Sequence, residues 1–150
     1  MRSIGFACLM SLMMLGATRE AAASDADVIR GFGMVGRVAI SCAGSPDASN
    51  PHMIYAISGA GAVTRTLRMD PSMNSQFVMQ NLRLVGPDVL QYDETGGASA
   101  FTVSVLKQPD GSFRAWRSVR TSGQNKGEVL IENGKFKGGT PTQAFMLCDN

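Results

Sequence analysis

Histidine is nearly missing from this chain: His52 stands alone among 150 residues. Cysteine is scarce, with only Cys8, Cys42 and Cys148, and Trp116 is the single tryptophan. These shortages exclude much. Structural zinc takes four Cys or His ligands and catalytic zinc three protein ligands, so a zinc site here would consume nearly every candidate, and no metal is expected. No H-E-x-x-H, G-x-S-x-G or P-loop pattern occurs, which removes the metalloprotease, esterase and nucleotide-cradling machineries those patterns encode. Runs of like charge are absent, and 14 basic against 12 acidic residues leave a net charge of +2. Nucleic-acid binding needs a concentrated basic field over the phosphates, so no nucleic-acid partner is expected.

Long apolar runs are also missing, with one short exception. Residues 4–16, IGFACLMSLMMLG, follow the positive Arg2 and precede the small residues of AAAS. That order is the pattern of a secretory signal peptide. The run is about 13 residues, short of the roughly 20 a membrane-spanning helix requires. Ala21 and Ala23 fit the small-x-small rule, so residues 1–23 read as a signal peptide cleaved after Ala23. An uncleaved anchor is the alternative, and no membrane span is expected after cleavage. Without Arg2, Arg19 and Glu20 the remaining chain carries 12 basic and 11 acidic residues, a net charge of +1. Its length suits one domain with a real core.

What the chain does have is turns. SPDASNP at 45–51, SGAG at 58–61, DETGG at 93–97, QPDG at 108–111 and SGQNKG at 122–127 recur along its length. Gly, Pro, Asn and Asp serve turns through positive φ, fixed φ or local side-chain hydrogen bonds. Between them lie short segments rich in Val, Ile, Phe, Thr and Tyr. Val63, Leu67 and Met69 alternate with Thr64, Thr66 and Arg68, and Phe101, Val103 and Val105 alternate with Thr102 and Ser104. Strict alternation marks strands with one buried face, as in antiparallel sheets. In 76–86 the apolar parity switches between Met79 and Leu82, which predicts a bulge near Gln80 and Asn81. The expected fold is all-β: an antiparallel meander of seven to nine short strands over 34–150, closed as a small barrel, with a two-sheet sandwich as the alternative. Residues 24–33, closed by Gly31 and Gly33, read as a flexible N-terminal segment or a single helical turn.

Cys42 ends the first strand and Cys148 the last. In a meander that closes, those strands are neighbours, so the two are expected to form a disulfide across 106 residues of sequence. Free thiols are the alternative, but no nearby cation would lower the Cys42 pKa. A nucleophilic Cys42 would need His52 held against it and a third group to orient the ring. His52 follows Asn50 and Pro51 and reads as a surface or turn residue instead.

Other constellations are thin. In FRAWRSVR, 113–120, Arg114, Trp116, Ser118 and Arg120 share one parity, while Phe113, Ala115, Arg117 and Val119 share the other. Arginines flanking Trp116 suit either ligand stacking or stems packed over an indole. Arg65 and Arg117 fall on parities that otherwise look apolar. An inward arginine must find a carboxylate, carbonyls or a ligand, unless a bulge turns it outward. Six methionines remain after residue 23, and with His52 they suggest weakly a Cu(I) site, or ordinary core filling. Asp93 and Glu94 read as turn residues, and no carboxylate pair is fixed for glycoside chemistry.

The pattern GFGMVGRVAISCAG, then SNPHMIYAIS and GAVTRTL, resembles a group of small exported bacterial proteins, the match resting on Gly36, Cys42, Asn50, Pro51, Tyr55 and Cys148. Val38 stands where those proteins tend to hold a tryptophan. The resemblance implies export and the disulfide, and it brings no activity. A likeness to lipocalin-like barrels is one of fold only. The sequence thus leads to a non-enzymatic binding module of the periplasm or cell exterior, without cofactor, that takes an unknown small ligand or an envelope protein. Tyr55, Arg65, Trp116 and Arg117 are its candidate ligand-binding residues. The alternatives are an envelope structural or interaction protein without a small-molecule site, and a hydrolase, for which nucleophile and base are missing.

Overall fold

The computed structural model describes residues 22–70, 72 and 74–148. Nearly all of the expected signal peptide lies outside them. Helix α1 (Asp25–Phe32) comes first, followed by ten strands: β1 (Gly36–Ala39), β2 (His52–Ile57), β3 (Val63–Arg68), β4 (Asn74–Gly86), β5 (Val89–Gly96), β6 (Ser99–Lys107), β7 (Phe113–Arg120), β8 (Val129–Glu132), β9 (Lys135–Phe136) and β10 (Ala144–Leu147). Strands β1 to β7 pair antiparallel with their neighbours in sequence. β10 closes the ring, pairing β1 through Val38/Leu147 and Ala39/Met146, and β7 through Arg114/Ala144 and Phe113/Phe145. The result is the expected closed barrel, of eight strands. The two further strands, β8 and β9, form a hairpin that continues from the second half of β7.

Two irregularities shape the interior. On β4 the register shifts between Gln80 and Arg83, with Asn81 left-handed at φ 56°. That is the bulge the parity switch predicts, and it lets both Met79 and Leu82 face the core. On β7, Ser104 pairs with Arg117 while its neighbour Val105 pairs with Ala115, so Trp116 is an extra residue. This second bulge, the alternative that turns Arg117 outward, puts Ser118 rather than Arg117 on the buried side.

The 24–33 segment requires correction. It is not loose: α1 runs eight residues with a capping box at Ser24, whose side chain accepts from the Asp27 amide while the Asp27 carboxylate takes the Ser24 amide. Gly33, at φ 79°, ends it in the left-handed conformation that glycine adopts without penalty. Ala26, Ile29 and Phe32 form its buried stripe, and Ile29 and Phe32 join Met34 and Phe113 in the core. Asp25 accepts from the amides of Asn81 and Leu82 at the β4 bulge (3.2 and 2.8 Å), and Lys107 donates to the Phe32 carbonyl (3.2 Å). The sequence allows only a single turn here because so short a segment, holding Gly31, has little propensity of its own; packing supplies the stability of the full eight residues.

Cys42 and Cys148 are disulfide-bonded, with S–S 2.01 Å and Cα atoms 5.5 Å apart. His52 is the other correction in this region. It opens β2 and is buried at 4% exposure, with Nε2 3.3 Å from the Asn50 side-chain nitrogen. Burial, and the positive charges of Arg37 and Arg68, hold its pKa below the ordinary value. Among the described residues no helix is long and apolar enough to cross a membrane, and no group of His, Cys, Asp and Glu could hold a metal ion.

Candidate functional site: the barrel lumen

Alternation along eight tilted strands sends one face of each inward, and in small barrels those side chains normally fill the space. Here they do not. A cavity of about 350 Å³ remains, walled by apolar groups such as Val38, Leu67, Val103 and Phe145. It falls within the range of small-molecule sites, roughly 300–1,000 Å³. Phe136, 49% exposed, borders it, so the hollow reaches the surface beside the β8–β9 hairpin.

Polar groups interrupt the apolar wall: Ser118 and Arg114 on β7, and a cluster built on Arg65. Arg65 donates through Nε and a terminal nitrogen to both carboxylate oxygens of Glu94, at 3.0 and 2.9 Å. The side chains are only 12% and 7% exposed. The register explains the meeting. Tyr55 pairs with Arg65 and Arg65 with Phe77, so all three share the inner face, and Glu94 enters it from β5 on the Met79 row. The guanidinium lies over the Phe77 ring, 4.3 Å from its centroid. Phe77 in turn lies so close to Gly96 that a Cβ there would sit 2.3 Å from the ring. A side chain at 96 would push the ring, and the arginine resting on it, off their seat.

Tyr55 and Tyr92, both fully buried, flank the ion pair. Burial raises both phenols, Tyr92 well above the usual value. The Tyr55 hydroxyl donates to the Met53 sulfur at 3.7 Å. Burial pushes the Glu94 carboxyl up while Arg65 pulls it down. Bidentate pairing is what makes such a buried charge tolerable.

The candidates from the sequence therefore divide. Tyr55 and Arg65 line the cavity together. Trp116 does not: its six-membered ring packs on Gly134, and its carbonyl accepts from the Gly134 amide. Arg117 points outward through the β7 bulge and pairs with Glu132 at 3.2 Å, both about half exposed. Glu94 and Tyr92 are lumen residues the sequence reading passed over. Taking 93–97 as a turn concealed Glu94; the turn proper is 97–98, with Gly97 at φ 58°. The signal was there, since Leu90, Tyr92 and Glu94 alternate strictly and all three are buried.

Fold and lumen together define a small, disulfide-closed antiparallel β-barrel with an occupiable interior. Comparison with protein-family models, curated proteins and solved structures finds no match.

Proposed function

We propose that this protein is an exported binding module that holds a small, mostly apolar molecule in its barrel lumen. The observation that carries the reading is the cavity of about 350 Å³ with Arg65, Glu94, Tyr55 and Tyr92 converging on it. A mainly apolar hollow with a few placed polar groups is the usual form of a ligand site. The disulfide supports export to the periplasm or cell exterior, because such bonds persist in oxidising compartments. The residues lining the lumen offer no nucleophile with an adjacent base, which favours holding over chemistry. Native mass spectrometry of the protein purified from an envelope fraction tests the reading. A bound small molecule that disappears in an Ala115→Phe variant, whose new ring enters the lumen, is expected. An empty wild-type protein that also refuses every apolar probe would overturn it.

A further inference from the structure

Arg65, Glu94 and Arg114 are the charged side chains that line the lumen. Arg65 and Glu94 neutralise one another through two parallel hydrogen bonds. Arg114 has no such partner. Among the described residues no carboxylate pairs with it, and its Nε is buried without a hydrogen-bond acceptor. The acidic side chains around β8 are already engaged: Glu132 pairs with Arg117, and Glu128 with Arg120 and Lys137. The lumen wall therefore carries one uncompensated positive charge. A buried donor on a charged group normally finds an acceptor, because leaving it open is costly.

Arg114 stands where the hollow opens. Its Cδ packs on Gly134, in the turn between β8 and β9, at 3.5 Å from where a Cβ on that glycine would sit. The exposed Phe136 of the same hairpin borders the hollow. Behind this mouth the wall is apolar, with Leu67, Val103 and Phe145. A hydrocarbon chain in the lumen can thus end beside a guanidinium that lacks an acceptor. A guanidinium presents its nitrogens as a planar fork that matches a carboxylate. A cationic head would be repelled there, and a neutral head would leave the charge uncompensated. Building on the lumen as the ligand site, we infer that the barrel selects an acidic amphiphile, its hydrocarbon part in the lumen and its anionic head on Arg114.

Isothermal titration at neutral pH with octanoate, 1-octanol and octylamine reads this directly. These probes share a chain and differ in head charge. Octanoate is expected to bind at least tenfold more tightly than the alcohol, about the size of one hydrogen bond to a charged group, and octylamine more weakly than either. In Arg114→Gln the ratio of octanoate to octanol affinity should fall to about one. If that variant does not fold, the wild-type series decides alone. Octanol binding as tightly as octanoate in the wild type overturns the charge selection and leaves the lumen site standing. A preference for octanoate that survives Arg114→Gln overturns the assignment to Arg114. Octanoate binding equally well to Ala115→Phe overturns a tail held in the lumen. Failure of all three probes overturns the lumen site and this inference with it.

Discussion

Arg65 and Glu94 each depend on the other. Glu94→Ala leaves a guanidinium buried without its carboxylate, and urea unfolding should show a loss of about 3–5 kcal/mol. The double variant Arg65→Met with Glu94→Leu restores an apolar pair and should recover most of that loss. His52 makes a second prediction at this scale. Its pKa is lowered in the fold, by burial first and then by Arg37 and Arg68, with Asp47 opposing. The unfolded chain therefore takes up a proton near pH 6.5 before the folded chain does. Stability should fall as pH drops from above 6.5 toward the depressed folded value, and His52→Asn should flatten that slope in urea titrations across the window. Some of this was legible in the sequence. Arg65 sits on an apolar parity, so the alternation alone says that, facing inward, it needs a carboxylate, carbonyls or a ligand. Its partner was hidden because DETGG looks like a turn from end to end, and alternation carried through Glu94 is a weaker signal than two glycines. Arg117 stood on an apolar parity too, and the β7 bulge sent it outward; nothing in FRAWRSVR marks Trp116 as the extra residue.

At the scale of elements, α1 is held by what it touches. Asp25 supplies the acceptors for two amides exposed by the β4 bulge. Asp25→Ala leaves the part-buried Leu82 amide without its acceptor and should cost about 1–3 kcal/mol. Ile29 is fully buried, and Ile29→Ala should cost about 2–5 kcal/mol. Thermal unfolding of both variants checks the assignment; a helix that merely rests on the barrel would give losses near zero. The bulge itself was readable from the switch between Met79 and Leu82. The helix was readable only as a possible single turn, because its seat is built by β4 and the β6–β7 hairpin, which are distant in sequence.

For the whole molecule, one covalent bond closes what one hydrogen-bonded seam closes. β10 touches β7 and β1 through two residue pairs each, and Cys42 to Cys148 ties the ends across a sequence separation of 106. Chain-entropy models assign a loop of that length about 4–5 kcal/mol. Reduction, or Cys42→Ser with Cys148→Ser, should lower unfolding stability by about that amount without changing the far-ultraviolet circular dichroism of the folded state. The closure was legible because first and last strands of a ring must meet. The hollow was not, since a volume left among Val38, Val103, Ala115 and Phe145 depends on how far side chains from four strands fall short of one another. Titration of 1-octanol into wild-type protein and into Ala115→Phe tests the occupied lumen most directly. Binding of one molecule per chain to the wild type, lost in a variant with an unchanged circular dichroism spectrum, is the expected result; equal binding to both, or to neither, would contradict a ligand held inside the barrel.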